Sequence, residues 1–175
     1  KESGCKWFPY NKGGAFRKWY GNNDYVVNWE NDGQELKKFK NAVLRNPTYY
    51  FRPSITWSKI SSGNIAFRYK PIGHIFDVAG TSIFCADKEK LVYILGLNNS
   101  KIILNILKAI SPTLNYEVGH IASLPIIEDR LNIVNNLVNV NILLSQSDWD
   151  SFETSWDFKK HPLLAYSIQS GAAFG

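Results

Sequence analysis

Between Arg52 and Lys70 two kinds of side chain alternate at the spacing of extended strands. Arg52, Ser54, Thr56 and Ser58 fall on one face of a first arm, with Phe51, Ile55 and Trp57 on the other. In a second arm Arg68 and Lys70 alternate with Ile65, Phe67 and Tyr69. One side of such a ribbon is apolar; the other carries hydroxyls and fixed positive charge. Guanidinium, ammonium and hydroxyl groups are the usual donors to phosphate oxygens and base edges, and a two-stranded ribbon can enter a groove. The same pattern also describes an ordinary hairpin with one wetted face.

The ribbon sits in the stretch from Thr48 to Ala86, which reads as two strands joined by the turn Ser61-Ser62-Gly63-Asn64, with a third strand after Pro71-Ile72-Gly73. Upstream, Ala15–Tyr20 and Tyr25–Trp29 read as a small hairpin around Gly21-Asn22-Asn23-Asp24. Asp32-Gly33 opens a helical stretch that runs to Arg45 and stops at Asn46-Pro47. Residues 88–98 and 101–110 are apolar at helical spacing, and Pro112 ends them. Tyr116–Ile127 reads as strand. Leu131–Leu144 reads as a helix with one stripe of Leu131, Val134, Leu137, Val138 and Ile142, and Ser147 as the cap of a further turn or two. From His161 the chain reads as a loose tail.

Length and composition frame this reading. At 175 residues, 45% hydrophobic and 20% charged, the chain is globular rather than disordered, and long enough to bury a core. No apolar run approaches the roughly 20 residues of a membrane span, and no signal segment opens the sequence. Cys5 and Cys85 provide neither a disulfide framework nor a metal spacing, which favours a reducing, cytoplasmic setting. Methionine is absent even at position 1, as in a fragment or processed product. The net charge of +5 is unevenly spread. Residues 1–75 hold thirteen Lys/Arg against five Asp/Glu, and residues 76–175 hold seven against ten. Positive charge gathered in one half favours a polyanionic partner there.

Catalytic constellations are missing. His74, His120 and His161 have no ligand spacing, no serine sits in a nucleophile elbow, and neither cysteine has a histidine near it in sequence. Asp148, Asp150, Glu153 and Asp157 read as the solvated face of a helix. Lys12-Gly13-Gly14 is too short for a phosphate loop.

The segments WFPYNKGGAFRKWYGN, YVVNWENDG, YYFRPSITWSKISSGNIAFRY, FDVAGTSIF, LGLNNSK, LNYEVGHIASLPI and DWDSFETSWDF, in that order, resemble the C-terminal target-recognition region of BREX-type adenine-specific DNA methyltransferases. These are large enzymes similar to type II restriction-modification proteins that join methylation and specificity. The resemblance spans residues 6–164. It implies an α+β fold: a twisted, mostly antiparallel sheet with small flanking helices, like the recognition domains of type I specificity subunits, and a C-terminal helical segment. Residues 1–128 would be the recognition domain, 129–160 a helical spacer and 161–175 a tail.

It further implies double-stranded DNA as partner, beside the catalytic methyltransferase domain of the same parent chain, with no membrane and no cofactor held here. S-adenosylmethionine would bind in the catalytic half, in a restriction-modification or phage-defence setting. Asn46-Pro47-Thr48-Tyr49 echoes the Asn-Pro-Pro-Tyr segment that grips the target base in such enzymes, but threonine replaces the second proline and no glycine-rich cofactor loop precedes it; it reads as a helix stop. Backbone contacts are expected from Lys12, Arg17, Lys18, Lys59 and Lys70. Base contacts are expected from Arg52 and Arg68, with Ser54, Thr56 and Ser58 as adaptable partners. If the ribbon is scaffold, Lys37–Arg45 and Asp87–Lys90 are the alternative readers. A specificity subunit acting in trans, or an aromatic-lined carbohydrate- or peptide-binding domain, are the competing classes. Trp19 and Trp57 are expected in the core.

Overall fold

The computed structural model describes residues 4–60, 63–111 and 115–166. It is an α+β arrangement of two three-stranded sheets and six helices among those residues, where a single sheet was expected. One sheet has the order β4-β3-β6, built from β3 (Ser54–Trp57), β4 (Phe67–Lys70) and β6 (Ser82–Ile83), all antiparallel. The other has the order β2-β1-β5, from β1 (Trp7–Asn11), β2 (Val26–Asn28) and β5 (Ile75–Phe76), with β5 parallel to β1.

The ribbon forms in the expected register, Ser54 opposite Lys70 and Thr56 opposite Arg68. Ser61 and Ser62 of its turn lie outside the described residues, as does Pro112. The strand after Gly73 belongs to the other sheet, and β6 takes its place beside β3. The anticipated 15–20/25–29 hairpin does not form. β2 pairs with β1 instead, and of residues 15–20 only Trp19 forms a β-bridge, to Arg68.

The apolar face of β3 and β4 builds the larger core. Ile55, Trp57 and Phe67 meet Leu91 and Leu95 of α2 (Lys88–Asn98) and Ile103 and Leu107 of α3 (Lys101–Ile110). Each such side chain removed from water contributes about 1.5–3 kcal/mol. Both helices fall on the bounds their periodicity indicates because both starts are capped. Asp87 accepts from Glu89 N and Lys90 N, and Ser100 from Ile103 N. Between them Asn99 clasps β4, its Oδ1 accepting from Phe67 N and its Nδ2 donating to Phe67 O. Trp29, Tyr50 and Ile75 form a second, aromatic core with Phe8, Phe51 and Phe76.

Three other segments depart from expectation. α1 spans Glu30–Lys38, but Asn31, Asp32 and Gly33 are left-handed, so regular helix is confined to its last turn or so. The chain then turns at 39–42 and continues without regular structure, Leu36 and Leu44 reaching the aromatic core while Phe39 and Val43 stay exposed. The 116–127 segment contains a short helix, α4 (Val118–Ala122), in place of a strand. A reciprocal cap between Glu117 and His120 closes its first turn. α5 runs unbroken from Leu131 to Trp149, with Ser147 inside it. Its Val134, Val138, Ile142 and Trp149 are wholly or partly buried, whereas Leu137 is 61% exposed. Beyond it, α6 (Leu163–Tyr166) is a short helix where tail was expected, and residues 167–175 lie outside the described set.

Candidate nucleic-acid interface

The polar face of the ribbon is not open to a partner. Ser54, Thr56, Ser58, Arg68 and Lys70 are all buried, Arg68 and Lys70 to 1% exposure. A loop from Lys12 to Asn23 lies over them and supplies the acceptors that two buried cations require. Lys70 Nζ donates to the carbonyls of Gly21 (2.9 Å) and Asn22 (3.0 Å) and to Asn23 Oδ1. Arg68 Nη2 donates to Ser58 Oγ (3.1 Å), and Nη1 to the carbonyl of Arg17 (3.4 Å). Ser58 Oγ donates in turn to Gly14 O at 2.7 Å. Thr56 Oγ1 accepts from Asn11 Nδ2 and donates to Thr81 O.

Burial lowers Arg68 to about 10 and, with help from the Arg68 charge, lowers Lys70 to about 7. In this fold Arg68, Lys70 and Ser58 hold the 12–23 loop on the sheet, Thr56 ties β3 to Asn11 and Thr81, and Ser54 is buried. They cannot reach a phosphate or a base edge while that loop stays in place. The loop can follow this path because Gly13, Gly14, Gly21 and Asn22 take positive φ. Gly21 is needed for a second reason: a Cβ there would stand 2.7 Å from Arg17 Cδ and 2.9 Å from Trp149 Cε3.

Arg17 and Lys18 are also engaged internally. Arg17 ion-pairs with Asp148 at 2.8 Å, and its guanidinium lies 4.9 Å from the Trp149 ring centre. Lys18 Nζ donates to the carbonyl of Asn99. Trp57 is buried and Trp19 packs against the same core.

Lys12, Arg52 and Lys59 retain solvent access, and the structure brings Arg52 and Lys59 near one cleft. This cleft, of about 670 Å³, lies between the 45–49 segment and the 76–84 segment. Arg45, Asn46 and Tyr49 line it together with Phe76, Thr81, Ser82, Phe84, Lys59 and Glu117. The Tyr49 and Phe84 rings are 5.0 Å apart, and the exposed Arg52 guanidinium lies 5.1 Å from Tyr49. Lys59 pairs with Glu117 at 3.0 Å, and its hydrogen bond holds that carboxyl below the usual range.

Lys12 is exposed with its ammonium 5.5 Å from the Tyr25 ring centre, while its neighbour Gly13 abuts Ser58 and Ala79 O, and Lys59 N donates to Ala79 O. The 77–80 loop between them is pinned by Asp77, whose Oδ1 accepts from Ala79 N and Gly80 N. Burial, reinforced by Asp77, pushes the Tyr10 hydroxyl up to about 12.

Two segments were the alternative readers. Lys37–Arg45 is exposed at Lys38, Lys40 and Arg45, and displays Phe39 and Val43, each 67% exposed. Only its far end, Arg45, reaches the cleft. Asp87–Lys90 is committed to capping α2 and to a Lys90–Glu128 ion pair. The contribution of Arg45 and Tyr49 was missed as a pair. Their signal was the exposed Asn46-Pro47-Thr48-Tyr49 turn, whose left-handed Asn46 turns Tyr49 into the cleft wall.

No group of His, Cys, Asp and Glu among the described residues could hold a metal ion. Neither strand-to-helix junction among them, from β2 into α1 or from β6 into α2, carries a glycine-rich loop of the kind that cradles a dinucleotide-like cofactor. No helix among them is long and apolar enough to cross a membrane.

Against known proteins, no family model matches. The chain is 43% identical, over 97% of its length, to the adenine-specific methyltransferase BrxX of Escherichia coli O9:H4 (strain HS). The chain is homologous to part of the BrxX and PglX methyltransferases. With the adenine-specific methyltransferase PglX of Lacticaseibacillus casei (strain Zhang) it shares 42% identity over 90% of its length. It spans 14% of the length of each of these relatives. BrxX and PglX therefore extend far beyond the matched segment.

Proposed function

We propose that this chain is a double-stranded DNA recognition module serving an adenine-specific DNA methyltransferase in phage defence. The observation that carries the reading is the 42–43% identity to segments of two adenine-specific methyltransferases over nearly the whole chain. An enzyme that swings adenine out of a duplex needs a second body to hold the flanking DNA, and such a body works through phosphate donors and a few base readers.

The groups available for this are the exposed ones. Lys12 and Lys59 are the phosphate donors, and Arg45 and Arg52 read bases from the cleft rim, with Asn46 and Tyr49 beside them. S-adenosylmethionine and the chemistry of methyl transfer belong to the remainder of a longer, cytoplasmic polypeptide. The fold proposed for it is that of type I recognition domains.

The reading is tested by selecting duplexes from a random pool with the purified protein. Enrichment of one short motif, lost in an Arg45→Ala/Arg52→Ala variant, is the expected result. Retention of carbohydrate or peptide ligands in place of duplexes would replace it with the aromatic-lined binding-domain reading.

A further inference from the structure

α5 carries two apolar stripes. Leu131, Val134, Val138, Ile142 and Trp149 form the first; Val134, Val138 and Ile142 pack into the core with α2, and Trp149 lies against Arg17 and Gly21. At about 100° per residue, Ile133, Leu137, Val140 and Leu144 form a second stripe, rotated by roughly 140° from the first. All four are exposed, at 59%, 61%, 55% and 64%, and Leu143 beside them is 64% exposed. Their spacing of four, three and four residues is that of a coiled-coil seam. Around the seam stand Asn132, Asn136 and Asn139, and from Leu131 to Ser147 there is no Asp, Glu, Lys or Arg. Helix faces that meet water normally carry charge, about a quarter to a third of the surface. This one carries none.

We infer that in the full-length protein the Ile133–Leu144 stripe of α5 is covered by an apolar, uncharged helix from another region of the same polypeptide. The seam geometry selects a helix as the occupant, because knobs at this spacing fit the holes of a facing helix. The lack of charge selects a permanent partner over an exchanging one, since steering and register by ion pairs are absent. The size of the stripe argues against a second copy. Five apolar residues lie along about 17 Å of helix, whereas a stable interface between separate chains takes roughly 20–30 residues a side. A tethered helix needs far less contact, because its effective concentration is in the millimolar range. BrxX and PglX have ample chain for it, the matched segment being 14% of each. This inference rests on the homology and not on DNA binding.

The test labels a thiol placed at Leu137→Cys, in the full-length protein and in the 175-residue chain, with peptide mapping to separate it from Cys5 and Cys85. Labelling at least tenfold slower in the full-length protein is expected. Hydroxyl-radical footprinting of Leu137 and Leu144 in the unsubstituted proteins repeats the comparison without a substitution. Equal reactivity in both proteins overturns the inference. So does protection in the 175-residue chain that grows with its concentration, which would assign the stripe to a second copy.

Discussion

Lys70 donates to the carbonyl oxygen of Gly21, 49 residues before it, at 2.9 Å. That bond, with those to Asn22 and Asn23, turns what reads as a DNA-facing lysine into the anchor of a loop. Its consequence is measurable as pH dependence. Burial lowers the folded-state value to about 7 from 10.5. Between those values the unfolded chain binds a proton that the folded chain lacks, so stability rises with pH there, by at most about 1.4 kcal/mol per unit. Urea unfolding from pH 6.5 to 9 should show this rise, and Lys70→Met should flatten it. An unchanged slope in the variant would contradict the assignment.

Gly21 should be the least replaceable residue of the 12–23 loop. Its φ is +119°, and an added Cβ meets both Arg17 and Trp149 at under 3 Å. Gly21→Ala should lower stability by ~1–3 kcal/mol. Arg17→Ala should cost less, because its pair with Asp148 is partly exposed. Thermal unfolding of the two variants ranks them.

α5 approaches α2 closely at Gly96, beside the bonds of Asn135 to Glu89. A Cβ on Gly96 would stand 2.6 Å from Val138 Cγ2 and 3.2 Å from Val134 Cγ1. Gly96→Ala should therefore destabilise despite the better helix propensity of alanine. Val138→Ala in the same chain should recover part of the loss, and a double-mutant cycle in denaturant reads the coupling.

The elements most legible in the sequence were those governed by local rules. The hairpin register follows from alternation, and the bounds of α2 and α3 follow from periodicity closed by Asp87 and Ser100. What sits on the polar face of the ribbon was not legible. Alternating Arg68 and Lys70 look the same whether they face water or the carbonyls of a distant loop. The contact of Arg17 with Asp148 spans 131 positions and has no local signature. For the same reason the cleft stayed hidden, since Tyr49 and Phe84 meet only after the chain has built both sheets. Among the described residues no carbonyl-rich segment is laid over Lys12 or Arg52, and Lys59 keeps partial exposure beside Glu117.

S-adenosylmethionine should not bind this chain. Titration calorimetry at micromolar protein should give no saturable heat. A saturable isotherm would place a cofactor site where the residues present suggest none.

The central claim is that exposed cations at the cleft rim meet DNA while buried cations hold the loop. Duplex binding followed by anisotropy from 50 to 200 mM salt tests it most directly, in the wild type, Arg52→Ala, Lys59→Ala and Lys70→Met. Affinity should fall steeply with salt, and Lys59→Ala should reduce the log–log slope by about one unit. Arg52→Ala should cost ~1–3 kcal/mol on a selected site and less on random duplex. Lys70→Met should lower the unfolding midpoint and leave the salt slope of the folded protein unchanged. Binding that ignores salt, or a slope that drops in Lys70→Met and holds in Lys59→Ala, would contradict the account.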